Sequence, residues 1–165
     1  MSGLKKRRLG KTELVVTELG LGAMDTPESP ERVETLNAAL DLGIDFVDTA
    51  RDYAGSELLI GEVLRGRMRK DCIIASKTFS RTVHGSQWDV DRSLKVLGVE
   101  SIDLYQLHDV STMQAWDEVM GDAGALEGLK VAQYRGLIGH IGISTHDLDV
   151  ARAAIESGKF ETVML

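Results

Sequence analysis

Residues 45–57 read "DFVDTARDYAGSE". An apolar run ends on Asp48, and Tyr53 follows in what reads as a loop, just before Ser56 opens a helical pattern. A buried strand that ends on a carboxylate and leads into a loop tyrosine raises a question of geometry: what do the neighbouring strands carry at the same end? Comparable runs, rich in β-branched residues, recur at "TELGLGA" (17–23), "CIIASKT" (72–78), "IDLYQLH" (102–108), "HIGIS" (140–144) and "ETVML" (161–165). Continuous apolar runs bounded by turn residues suit strands buried on both faces, as in a parallel sheet.

Helical stretches separate them. "SPERVETLNAALDLG" (29–43) begins with a Ser-Pro cap and first-turn pair and stops at glycine. "SELLIGEVLRG" (56–66), "DVDRSLKVLG" (89–98), "ALEGLKVAQYRG" (125–136) and "DLDVARAAIESG" (147–158) also end on glycine. Trp88 and Trp116 fall in or near helical regions, where packing is their expected role. Strand and helix alternate, which predicts an α/β fold with parallel strands. Ahead of them, "RRL" and "LVV" flank Gly-Lys-Thr-Glu and predict a small β-hairpin.

A doubly wound sheet would carry G-x-G-x-x-G after its first strand. Here that place reads "GLGAMD" (20–25), with Gly20 and Gly22 but no third glycine. The strand ends favour a barrel instead. Side chains alternate along a strand, so Ile44, Phe46 and Asp48 share a face, as do Ile73, Ala75 and Lys77, and Leu104, Gln106 and His108. Each series ends on a polar group at its C-terminal end, where barrel active sites lie. Each residue also has a plain alternative: a turn aspartate, a solvated lysine, a structural histidine, a loop tyrosine used for packing. Four such groups on consecutive strands, at equivalent heights, make those alternatives jointly weaker.

Together they suit proton donation to a carbonyl oxygen. A phenol with a pKa of about 10 is a poor acid at neutral pH. A neighbouring ammonium stabilises the phenolate, a carboxylate holds that ammonium, and an imidazole hydrogen-bonds the carbonyl. Asp48 would hold Lys77, Lys77 would polarise Tyr53, and Tyr53 would deliver the proton. A proton donor needs a hydride donor, which no side chain supplies, so a nicotinamide cofactor is implied.

The blocks "DFVDTARDYAGSELLIGEVL", "IIASKT", "SLKVLGVESIDLYQLHD" and "GLIGHIGIST" resemble, in order and spacing, the signature blocks of the aldo-keto reductase family. The resemblance implies a TIM (β/α)8 barrel with its N-terminal hairpin, and NADPH-dependent reduction of an aldehyde or ketone, with NADH left open. It implies a catalytic tetrad of Asp48, Tyr53, Lys77 and His108, and a cofactor site that includes Gly22, Ala23, Asp48, Ser144 and Thr145. Two positions depart from the family pattern: Thr145 stands where Asn is usual, and Ala54 precedes Gly55 where glycine usually follows the tyrosine directly. Six strands are read here against eight in a barrel, so the 165 residues are expected to form the N-terminal part of one, ending within strand six.

Composition narrows the rest. With 43% hydrophobic and 27% charged residues the chain reads as one globular domain. A net charge of −7 gives no general attraction to nucleic acid or an anionic membrane. No run approaches the roughly 18 apolar residues of a membrane span. The N-terminus lacks the apolar stretch of a signal peptide. Cys72 is the only cysteine, which suits a reducing cytoplasm; its expected place is the core, and that of His84 a loop. Three other readings stay open: Schiff-base chemistry at Lys77, a metal hydrolase using His108, His140 and His146, and a non-catalytic binding or regulatory subunit or inactive fragment. The metal reading is weakened because His140 opens its strand, at the end opposite His108; no metal is expected.

Overall fold

The computed structural model describes residues 3–24, 29–67 and 72–165. The third position of the incomplete glycine pattern, Asp25, lies outside the described residues. The hairpin pairs β1 (Lys6–Arg8) antiparallel to β2 (Val15–Thr17). Then come β3 (Leu21–Gly22), α1 (Pro30–Asp41), β4 (Phe46–Asp48), α2 (Ser56–Arg65), β5 (Ile73–Thr78) and α3 (Val83–Leu97). β6 (Ile102–Leu107), α4 (Met113–Met120), α5 (Ala125–Tyr134), β7 (Ile138–Ser144), α6 (Leu148–Ser157) and β8 (Thr162–Met164) complete the order. The strands from β3 to β8 form one parallel sheet in chain order. This is a curled, helix-covered sheet of six strands, against the eight of the expected barrel.

Two faces of the sheet have opposite chemistry. Val47, Ile74, Tyr105, Leu107 and Ile143 are fully buried and pack under the helices. The alternate positions Asp48, Lys77, Gln106 and Gly142 face the concave side. α3 and α5 cover neighbouring strands in close contact, and Gly128 permits it: a side chain there would run into the Ser86 hydroxyl and the Val83 carbonyl. The hairpin lies across the N-terminal end of the sheet. Its Lys11 N–H donates to the Glu161 carbonyl ahead of β8 at 2.8 Å. At its other side Thr17 donates from both N–H (2.7 Å) and hydroxyl (3.0 Å) to Asp45, ahead of β4.

Several expectations change in detail. α3 begins at Val83 rather than Asp89, so His84 is helical, and α4 is an additional helix that the hydrophobic pattern did not mark. Both start at threonines whose hydroxyls accept N–H groups in the first turn, Thr82 from Gly85 and Thr112 from Ala115. Trp88 is 65% exposed on the outer face of α3 and does not pack, whereas Trp116 lies partly buried with its ring 6.0 Å from that of Phe160. Cys72 is buried as expected. No helix among the described residues is long and apolar enough to cross a membrane.

Candidate active site

The rim at the C-terminal ends of β4, β5 and β6 brings the four predicted residues together, though not at one height. Asp48 pairs in register with Ala75, and Lys77 with Gln106, so each successive polar residue sits two positions further along its strand. This stagger is the shear of a closing barrel, whose strands tilt against the axis. It leaves Lys77 about 6.6 Å beyond Asp48 along the sheet, a span its side chain covers by folding back.

Lys77 is 1% exposed. Its Nζ donates to the Asp48 carboxylate in a short contact, to the Thr49 carbonyl at 2.8 Å and toward the Tyr53 hydroxyl at 3.5 Å. Gln106 donates to the other Asp48 oxygen at 3.2 Å. Burial pushes the Asp48 carboxyl above the usual carboxylate range, against the opposing pull of Lys77 and Gln106. Gln106 was not singled out as a site residue, although its strand parity, shared with His108, was the signal for it.

The loop carrying Tyr53 is held on both sides. Arg51 N–H donates to the Lys77 carbonyl at 3.0 Å, and the Thr49 and Ser56 hydroxyls bond at 2.7 Å. Behind the sheet the Arg51 guanidinium meets buried Glu57 at 2.5 Å, and Glu57 accepts from Ser76 at 2.7 Å. Gly55 adopts a left-handed φ of 74° to enter α2, a conformation glycine takes without penalty. The glycine one place later than in the family pattern therefore still serves the turn.

His108 follows β6, its N–H bonded to the Thr78 carbonyl at 2.9 Å. Its ring stands edge-on to Tyr53 at 5.5 Å and against Phe79 at 4.4 Å. Burial, then the Lys77 charge, lowers its pKa to about 4, so the imidazole is neutral at physiological pH. His140 is elsewhere: it pairs in register with Leu104, about 13 Å below His108 along the sheet, and its Nδ1 meets Glu161 at 2.6 Å.

Of the residues implied for a cofactor, Gly22 pairs with Asp48, and the space where its side chain would project is open. Ala23 is buried, its N–H bonded to the Asp48 carbonyl at 2.9 Å. Ser144 accepts the Asp109 N–H at 2.9 Å, which leaves its own hydroxyl proton free to donate. Thr145 differs: its hydroxyl donates to the Asp147 carbonyl and accepts the Asp147 N–H, so it is spent on the turn into α6. A cavity of about 580 Å³ opens between the edge strands β3 and β8, touching Gly22, Asp48 and Met164. It meets the four rim residues only at Asp48, so the rim contacts, and not the cavity, define the site.

This fold is that of the aldo/keto reductases. The chain belongs to that family, whose sequence model matches residues 18–165. An uncharacterized oxidoreductase of Bacillus subtilis, YqkF, is 30% identical over 177 residues, covering 98% of this chain and 56% of that protein. L-galactose dehydrogenase of Arabidopsis thaliana is 28% identical over 166 residues, 91% of this chain and 51% of that one. Among solved structures, the holo form of aldo-keto reductase AKR11C1 from Bacillus halodurans superposes with a TM-score of 0.82 at 29% identity, over 97% of this chain and 56% of that one. An aldo-keto reductase of Klebsiella pneumoniae in complex with NADPH gives 0.73 at 25% identity, over 91% and 53%. The chain thus spans about half the length of the curated relatives it matches.

Proposed function

We propose that this chain carries the proton-donating site of a carbonyl reductase that uses a nicotinamide cofactor, NADPH first and NADH as the alternative. The observation that carries the reading is the Lys77 ammonium, buried between the Asp48 carboxylate and the Tyr53 hydroxyl. Asp48 and Gln106 hold Lys77 toward the phenol. Lys77 stabilises negative charge left on Tyr53 when its proton passes to the substrate oxygen. His108, neutral and beside Tyr53, offers a ring N–H to the same oxygen and orients it. The cofactor supplies the hydride when bound. The donor set fits it in part: open space over Gly22 beside Asp48, and the Ser144 hydroxyl, suit a carboxamide-bearing ring, while Thr145 offers no free hydroxyl. The substrate class is a small-molecule aldehyde or ketone. The NADPH complex of the Klebsiella relative supports the cofactor assignment.

The test is aldehyde-dependent NADPH oxidation by the chain and its Tyr53→Phe variant, with cofactor binding followed by fluorescence. General acid catalysis contributes about 10²–10⁴-fold, so Tyr53→Phe is expected to lose turnover on that scale while keeping its cofactor affinity. Turnover near that of the parent would remove Tyr53 from the role.

A further inference from the structure

The rim holds a second cation that the proton-donating arrangement leaves unused. Arg81, in the connection from β5 to α3, donates from Nη1 to the His108 carbonyl at 2.8 Å and from Nη2 to the Asp109 carbonyl at 2.9 Å. A guanidinium presents a planar fork of donors, which a lysine cannot reproduce. The segment it grips is unusual. Asp109 has φ 49°, the one positive value at a non-glycine residue among those described. A side-chain-bearing residue is held there only when its surroundings over-determine it. The other restraints are visible: the Asp109 N–H donates to Ser144 Oγ at 2.9 Å, the Ser111 hydroxyl donates to the Asp109 carboxylate, and the Val110 N–H donates to the Ser144 carbonyl at 2.9 Å. Arg81 also lies 5.5 Å from the Phe79 ring, which packs on His108.

We infer that Arg81 is a positioning residue: by gripping the two carbonyls at the Asp109 kink, it sets the His108 ring against Tyr53 and ties it to Ser144. The inference rests on the reading of Tyr53 and His108 as the reacting rim. It makes Arg81 the link between the residue that orients the carbonyl and the one that faces the cofactor. The charged groups facing His108 are Lys77 from β5, Asp52 from the loop after β4, Arg81 from the connection between β5 and α3, and Asp109 next to it in the chain. Lys77 and Arg81 disfavour the imidazolium, and the two aspartates favour it. Loss of Arg81 removes a neighbouring positive charge and frees the ring from its packed position, and both changes favour the imidazolium.

The experiment is NMR titration of the imidazoles in the parent and in Arg81→Met, with His84, His140 and His146 as internal references, together with kcat and KM. The His108 midpoint is expected to rise from about 4 by about one pH unit, while the three references stay in place. Turnover should fall about tenfold or more with KM for the carbonyl substrate little changed, as for a misplaced catalytic group. Arg81→Lys keeps the cation but not the fork; it should return part of the midpoint and leave kcat low, and it carries the test if Arg81→Met does not fold. A folded Arg81→Met with an unmoved His108 midpoint, or with the parent's kcat, overturns the assignment. Tyr53→Phe measured in parallel separates the two claims. Full turnover there would sink the proton-donor reading, and the titration, which needs no turnover, would still judge Arg81.

Discussion

Asp45 precedes β4 and Asp48 ends it, and each takes a lysine, yet the two pairs behave oppositely. Asp45 meets Lys6, half-exposed at 52%, at a distance of 2.6 Å; Asp48 meets Lys77, exposed by 1%. At Asp45 burial alone would raise the carboxyl, but the hydrogen bonds from Lys6 and Thr17, with the Lys6 charge, outweigh it and hold the group low. At Asp48 burial exceeds the pull of its lysine, and the group sits high. A lysine partner therefore does not set the direction of the shift; the depth of the pair does. The first pair fastens the hairpin under the sheet. The second holds an ammonium out of reach of water, where its charge is little screened and acts strongly on a neighbouring group.

The contrast can be broken by one substitution made at both pairs. Lys77→Met strands the Asp48 carboxylate in a buried site, and removing one partner of such a pair costs about 3–5 kcal/mol. Urea unfolding should show that loss. A smaller effect comes from acid. The unfolded chain binds a proton at a histidine near pH 6.5, whereas folded His108 waits until about 4. The unfolded state thus holds more protons across that window, and stability falls as pH drops through it. His108→Gln should flatten the decline of Tm between pH 6.5 and 4. The raised Asp48 carboxyl acts with the opposite sign, but it is present in both proteins, so their difference isolates His108. The least effect belongs to Lys6→Met. The lysine removed is itself half-exposed and Thr17 still serves Asp45, so about 0.2–1 kcal/mol is expected. Equal losses in the two methionine variants would erase the distinction.

Much of this architecture was legible because parallel strands leave continuous apolar runs, and "IIASKT" and "IDLYQL" became β5 and β6 with ends close to those expected. α4 was not legible, since eight residues with one buried position, Val119, carry almost no periodic signal. The N-terminal half of α3 was hidden for a related reason: "VHGSQW" mixes a β-branched residue with glycine and points its tryptophan at solvent. At the site, strand parity brought Asp48, Lys77 and His108 to one face. Parity cannot report stagger, which comes from strand tilt, and so the expectation of equal heights gave way to steps of two residues. Nor could it reveal that Thr145 commits its hydroxyl to the backbone of Asp147, the cap of α6, or that Arg81 reaches across to the His108 carbonyl, because both depend on loop conformation.

The central claim is that Lys77 acts through Tyr53. Turnover in Tyr53→Phe, Lys77→Met and the double variant tests it most directly, each normalised to folded, cofactor-bound protein. Residues that act as a unit are strongly non-additive, so the double variant should be scarcely slower than Tyr53→Phe alone. A double variant slower by the full product of the two single losses would show that Lys77 and Tyr53 work independently, and the account of this rim would be wrong.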